Sequence, residues 1–253
     1  SIGKTIEGRD IFAVEISSPS RLRPDGTPKK TAYHEFNMHA REWLTSAVGQ
    51  YYADSLVKAY RSKDARVTAI LDNTVIALVP VVNPDGYAYT WTTDRMWRKN
   101  RRNNGNDTFG VDLNRNFPLF WGKEGASDDP ASDSFYGAHP ASEPETRAIM
   151  KYYSSLKNKI TALEVHTCAQ FIGYPFGGTA QLPQQPDLDN FKTIATKMAD
   201  TAAKGGGKKY RVFNLYNDLV PFTGLSIDYF YKPDNSTRAV YSLAFEFRRG
   251  NND

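Results

Sequence analysis

Short apolar, β-branched runs alternate with longer amphipathic segments along most of this chain, and few folds accommodate that alternation. The runs Ile11–Ile16, Ala32–Met38, Val75–Val82, Ala162–Val165, Tyr210–Leu215 and Ala239–Phe247 have the length and residue types of strands, several apolar on both faces. Between them, Thr45–Arg61, Lys63–Asp72, Glu143–Lys157 and Asp189–Lys204 repeat apolar residues at three- and four-residue steps. That is the spacing of one helix face, with Ser142 and Asp189 as expected caps. Strands separated by helices in this way predict a single-domain α/β/α sandwich around a mixed, mostly parallel twisted sheet. With 253 residues, no internal repeat and no linker, one domain over 1–253 is expected.

Charge narrows the function. Lys and Arg number 32 against 28 acidic residues, and the basic ones are scattered apart from the run Arg98–Arg102, so nucleic acid is not an expected partner. No apolar run is long enough to cross a bilayer, and Ser1 does not open a targeting segment, so no membrane association is expected. Cys168 is the one cysteine, which leaves no internal disulfide and predicts a buried thiol.

The stretch Asn83–Pro140 breaks the alternation. It is rich in Asn, Asp, Gly and Trp, and a loop of that length inside a compact domain is usually a functional one. In an α/β sheet, ligands gather outside the carboxyl ends of the strands. The polar residues just past the predicted strands are His39 and Glu42 after Ala32–Met38, Asn83 and Asp85 after Val75–Val82, and His166 after Ala162–Val165. Glu246 lies inside the last strand, between Phe245 and Phe247.

Two imidazoles and a carboxylate suit Zn²⁺, and three protein ligands leave a fourth position for water, as catalytic rather than structural sites do. His39, Glu42 and His166 form such a set; His34 and His139 lie in a strand and a Pro-flanked loop without a carboxylate partner. The spacing alone fits equally well two hydrogen-bonded histidines at strand ends and a glutamate favoured at a helix N-terminus. An acidic side chain in an apolar strand is expensive to bury unless paired or protonated, which makes Glu246 a candidate general base. The alternative is an ion pair with Arg248 or Arg249. Asn114 and Arg115, beside Phe117, have the chemistry to clamp a carboxylate, and Arg98 that to stabilise an oxyanion. Taken singly, each arginine also fits a solvated surface charge.

Seven stretches in order carry a family likeness: "HAREW" (His39–Trp43), "VVNPDGY" (Val81–Tyr87), "RMWRKNR" (Arg95–Arg101), "DLNRNF" (Asp112–Phe117), "SEPETRA" (Ser142–Ala148), "EVHT" (Glu164–Thr167) and "FEF" (Phe245–Phe247). From Gly3 to Glu246 the chain resembles the zinc metallocarboxypeptidases of the pancreatic A/B type. The resemblance implies one Zn²⁺ on His39, Glu42 and His166, with Glu246 as base and then acid, and Arg98 holding the oxyanion. It also implies Asn114 and Arg115 as the receptor for a peptide's terminal carboxylate, with Arg41 as a further contact. The enzyme so implied is a secreted, extracellular, monomeric exopeptidase, made as a zymogen and open to proteinaceous carboxypeptidase inhibitors.

Departures from the family pattern matter too. Val220 stands, without gaps, where the family has a tyrosine that closes over substrate, and Tyr216 is the nearest tyrosine. Ile227 matches the position that reads the substrate's last side chain, and an apolar residue there implies an A-type preference for aromatic or aliphatic ends. Leu225 and Phe222 replace residues that are usually small, and Asp218 and Asp228 are near, which keeps a B-type preference for Lys or Arg as an alternative; the displaced tyrosine keeps a non-catalytic carboxypeptidase-like binding module as another. Set against the family pattern, this stretch is expected to lack the leading and C-terminal helices, as a fragment or through loss of the family's ends, and the common disulfide, with Phe109 and Ala131 near the cysteine positions.

Overall fold

The β-branched runs pair into one sheet whose central strands are parallel. The computed structural model describes residues 1–205, 207–231 and 240–248. In chain order the strands are β1 (Gly3–Lys4), β2 (Asp10–Ile11), β3 (Val14–Ile16), β4 (Lys30–Phe36), β5 (Thr74–Val79), β6 (Asn103–Gly105), β7 (Thr108–Phe109), β8 (Lys159–Thr167), β9 (Phe171–Tyr174), β10 (Arg211–Asn214) and β11 (Tyr241–Phe247). The helices are α1 (Trp43–Arg61), α2 (Ala65–Asn73), α3 (Pro84–Thr92), α4 (Pro144–Ser155), α5 (Asp187–Lys204), α6 (Leu215–Asp218) and α7 (Ser226–Tyr231). The main sheet has the order β10-β9-β11-β8-β4-β5-β3. Strands β11, β8, β4 and β5 run parallel; β3 joins β5 and β9 joins β11 antiparallel, and β10 lies parallel to β9.

Side chains alternate across a strand, so β4 feeds two cores. Ala32 and Phe36 pack with Leu56 of α1 and Leu71 of α2. Tyr33, on the other face, packs with Ile149 and Tyr153 of α4 and Phe230 of α7. Its ring lies edge-on to Tyr153 and Phe230, with centroids 5.4 and 5.2 Å away. Helix α5 lays Phe191, Ala195 and Ala199 against Ile172 of β9 and Leu243 of β11. The expected sandwich is therefore the fold. Among the described residues no helix is long and apolar enough to cross a membrane.

Several local expectations are corrected. Ile11–Ile16 is two strands, because β2 pairs with β1 while β3 pairs with β5, and Phe12 between them is exposed. The helix caps are Glu143 and Pro186, one residue beyond Ser142 and three before Asp189. The Ser142 hydroxyl instead donates to Glu143. Cys168 is exposed, since it lies in the turn just past β8. β9, α3 and α7 had no periodic signal strong enough to predict them. Ala239, the expected start of the last strand, lies outside the described residues.

Three neighbouring parallel strands, β4, β8 and β11, bring their carboxyl ends to the same edge. The long loop is pinned over that edge by Gly224, whose carbonyl accepts from the Phe117 N–H at 3.1 Å. Gly224 has φ +69°, and a Cβ there would stand 2.2 Å from the Arg115 carbonyl oxygen. Strain and clash together predict that Gly224→Ala destabilises the protein by about 2 kcal/mol or more. Urea unfolding of the two proteins measures this; a difference within 0.5 kcal/mol, roughly the spread of neutral surface changes, contradicts it.

Candidate metal centre and its cleft

Two of the candidate ligands are set by one buried asparagine. Past the end of β4, Asn37 takes φ 53° and turns the chain. Its Nδ2 donates to the carbonyls of His39, Ala40 and Glu42 at 3.3, 3.4 and 3.2 Å. The Ala40 N–H donates to the Arg98 carbonyl at 2.9 Å, tying this turn to the long loop. Glu42 immediately precedes α1 but makes no capping bond; its carboxylate faces the histidines instead. His166 comes from β8, where parallel pairing sets it beside Glu246 of β11.

One ligand atom from each of His39, Glu42 and His166 lies within 4.8 Å of the others, and all three residues are buried. Nδ1 of His39 is 2.9 Å from Glu42 Oε1, and Nδ1 of His166 is 3.0 Å from Glu42 Oε2. The outer nitrogens are anchored in turn: His39 Nε2 on Asp112 Oδ1 at 3.2 Å, and His166 Nε2 on Glu164 Oε1 at 2.5 Å. A carboxylate on the outer nitrogen leaves the inner one free to ligate, which is how metal-binding histidines are commonly held. The donor set thus fits Zn²⁺ in type, number and orientation.

Charge agrees with that fit. Burial disfavours ionised Glu42, but His39 and His166 outweigh it and hold the carboxyl well below its usual range. Burial would lower His166, yet Glu164 and Glu42 raise it well above an ordinary imidazole. Asp112 is likewise buried and still held well below its usual range by Arg98, His39 and Arg115. These acids demand positive charge at their centre, which protonated imidazole or a divalent ion can supply.

Arg98, Asn114, Arg115 and Glu246 line a cavity of about 190 Å³ that opens on His39 and His166. Arg98 reaches Asp112 Oδ2 through Nη2 at 2.8 Å and Nε at 3.2 Å. Asn114 accepts from the Ser226 N–H at 3.0 Å through Oδ1, while its Nδ2 donates to Glu164. Arg115 spends Nε on the Gly125 carbonyl and Nη1 on that of Asn114, at 2.9 and 2.8 Å, and lies over the Phe222 ring. Glu246 is half-buried and accepts from the Ala169 N–H at 3.3 Å. Burial raises its carboxyl above the usual value, partly offset by His166. Among the described residues it forms no ion pair with Arg248, and Arg249 lies outside them.

Four expected contacts fall elsewhere. Arg41 points away, its Nη1 on Asp133 and on the Met96 carbonyl at 3.0 and 3.2 Å, and does not line the cavity. Ile227 is fully buried behind the wall, packed with Leu225, Leu215 and Ala244, because Ser226 before it takes the face toward Asn114. Tyr216, on α6, is half-buried and Val220 is exposed, and neither lines the cavity. Asn83 and Asp85 are structural: Asn83 caps α3, and Asp85 accepts from the Thr5 hydroxyl, the Glu7 N–H and Arg9. Conversely, sequence reasoning passed over Asp112 and Glu164. Glu164 was open to detection, since an acid in the apolar run "TALEVHT" raises the same question as Glu246. Asp112 lies in a loop, where an acid gives no such signal.

A mixed sheet with two imidazoles and a carboxylate buried at its carboxyl edge defines a metal-binding α/β protein. The chain matches the zinc carboxypeptidase family over residues 1–253 and belongs to that family. It is 36% identical to carboxypeptidase A1 of Rattus norvegicus over 250 residues, covering 98% of this chain and 56% of that protein. Identity to carboxypeptidase O of Bos taurus is also 36%, over 249 residues, covering 98% of this chain and 63% of the relative. The solved structure of bovine thrombin-activatable fibrinolysis inhibitor in complex with tick carboxypeptidase inhibitor superposes with a TM-score of 0.84 at 28% identity, covering 99% of this chain and 78% of that one. The chain therefore spans 56% to 63% of the length of these two curated relatives.

The acids beneath the site give a pH prediction. Glu35 of β4 pairs in register with Glu164 of β8, and burial, with the charge of Glu164, pushes its carboxyl up to about 8. An unfolded glutamate titrates near 4.3, so the folded protein holds this proton more tightly. Its contribution to stability is full below that value and is lost progressively as pH rises to about 8. Glu35→Gln should therefore gain on the parent by a few kcal/mol between pH 5 and pH 8, as urea unfolding at both values would measure. An equal difference at both pH values contradicts the assignment.

Proposed function

We propose that residues 1–253 are a single catalytic unit of a zinc-dependent exopeptidase, releasing one C-terminal residue at a time from peptides. The observation that carries this reading is that two of the metal ligands, His39 and His166, line one small cavity together with Glu246, Arg98 and the pair Asn114–Arg115. Zinc bound there supplies a Lewis acid that polarises the scissile carbonyl and acidifies water. Arg115 and the Asn114 side-chain amide hold the terminal carboxylate, which fixes the last peptide bond at the reacting end of the cavity. Arg98, already anchored on Asp112, donates to the carbonyl oxygen as negative charge develops. Glu246, with its carboxyl raised by burial, takes a proton from water and returns it to the leaving amine. A carboxylate receptor has no use in an endopeptidase, whose substrate continues past the cut.

The walls that receive the last side chain are Phe171, Leu215, Phe222, Leu225 and Ala244. They support an A-type preference for aromatic or aliphatic residues, read by Leu225 and Phe222 with Ile227 packed behind them. The extracellular setting, zymogen form and monomeric state go with the same reading. So does susceptibility to proteinaceous inhibitors, as the complex of the bovine relative with a tick inhibitor suggests.

Blocked dipeptides ending in Phe, Leu, Lys or Glu, and one ending in phenylalanine amide, test the proposal. Free-acid Phe and Leu substrates should be cleaved with the highest kcat/KM and the amide left intact. A dominant preference for Lys overturns the A-type reading, and cleavage of the amide at a comparable rate overturns exopeptidase action. Glu246→Gln should lower kcat by about 10²- to 10⁴-fold with zinc retained, as expected for loss of a general base.

A further inference from the structure

Glu164 is the buried acid that the proposed chemistry does not use. Side chains two apart on a strand share a face, so β8 presents Glu164 and His166 to the same side, toward the cavity that both line. Glu164 is 1% exposed, yet it carries no arginine or lysine partner among the described residues. Its Oε1 is instead shared between two parts of the site, His166 Nε2 at 2.5 Å and Asn114 Nδ2.

We propose that Glu164 is a positioning residue that orients a metal ligand and the substrate-carboxylate receptor through one carboxylate. On the metal side, accepting from Nε2 fixes the His166 tautomer with Nδ1 turned inward, toward Glu42 and the ion. On the substrate side, accepting from Nδ2 fixes the amide of Asn114, whose Oδ1 is already held by the Ser226 N–H at 3.0 Å. With both ends of that amide committed, its second N–H is directed to one place. A carboxamide or hydroxyl here would still fill space, but would accept more weakly from the imidazole. The inference rests on the metal reading above and extends it to a residue outside the ligand set.

The test is zinc affinity, measured by competition with a chromogenic chelator on the full chain. Glu164→Gln keeps the shape and loses the charge; Glu164→Asp keeps the charge and loses the reach. Both should bind zinc about tenfold more weakly or worse, the effect typical of removing a partner of a ligating histidine. At saturating zinc, both should raise KM for a free-acid dipeptide more than they lower kcat, because Asn114 is released. Zinc affinity within twofold of the parent in the variant that melts cooperatively overturns the proposal. Weaker zinc with unchanged KM confines Glu164 to the histidine and overturns the linkage. His166→Ala separates the two levels: if it binds zinc as the parent does, the metal reading itself fails. If it loses zinc while the Glu164 variants keep it, only this inference fails.

Discussion

The carboxylate of Glu42, out of water and between two imidazoles, is the interaction on which the rest of the site is built. A buried carboxylate with no positive partner would be neutral or would unfold its surroundings. Here it is the middle of an alternating series: Glu164, His166, Glu42, His39, Asp112 and Arg98 touch in that order, acid and base in turn. Each charge is balanced by its neighbours, so a strongly polar cluster is tolerated in the interior. A divalent ion entering among His39, Glu42 and His166 would meet a demand for positive charge that the surrounding carboxylates already make.

The sheet supplies the members of this series from separate places in the chain. β4, β8 and β11 are adjacent and parallel, so their carboxyl ends deliver His39 and Glu42, His166, and Glu246 to one edge. The long loop then covers that edge and contributes Arg98, Asp112, Asn114 and Arg115. Strand β8 and the turn past β4 hold the candidate metal donors, and the loop sets Arg98, Asn114 and Arg115 in the wall of the same cavity. Backbone contacts such as Ala40 to Arg98 and Phe117 to Gly224 join the two.

Much of this was legible in the sequence, for reasons that differ from residue to residue. Helices α1, α2, α4 and α5 carry apolar residues at helical spacing over two turns or more, and their cores follow from it. His39, Glu42, His166 and Glu246 were legible because each stands at or near a strand end where an apolar run does not explain it. Less legible was anything decided by contacts between distant segments. β9 is four residues long, and α7 is an aromatic-rich turn and a half that reads as strand as easily as helix. The pocket wall is supplied by the segment just before α7, and sequence assigned reading of substrate to Ile227 where Leu225 and Phe222 line the cavity. Arg41 failed similarly: its neighbour His39 turns in, and an exposed aspartate, Asp133, draws the arginine out.

Asn37 carries a consequence beyond its own bonds. By gathering three carbonyl groups of the ligand turn, those of His39, Ala40 and Glu42, onto one amide, it imposes the bent path of that turn whether or not an ion is present. Most of the ordering entropy of two donors is thereby spent during folding, so that cation capture needs only a local exchange of protons and solvent. A scaffold of this kind sequesters its ion by readiness rather than by closing around it.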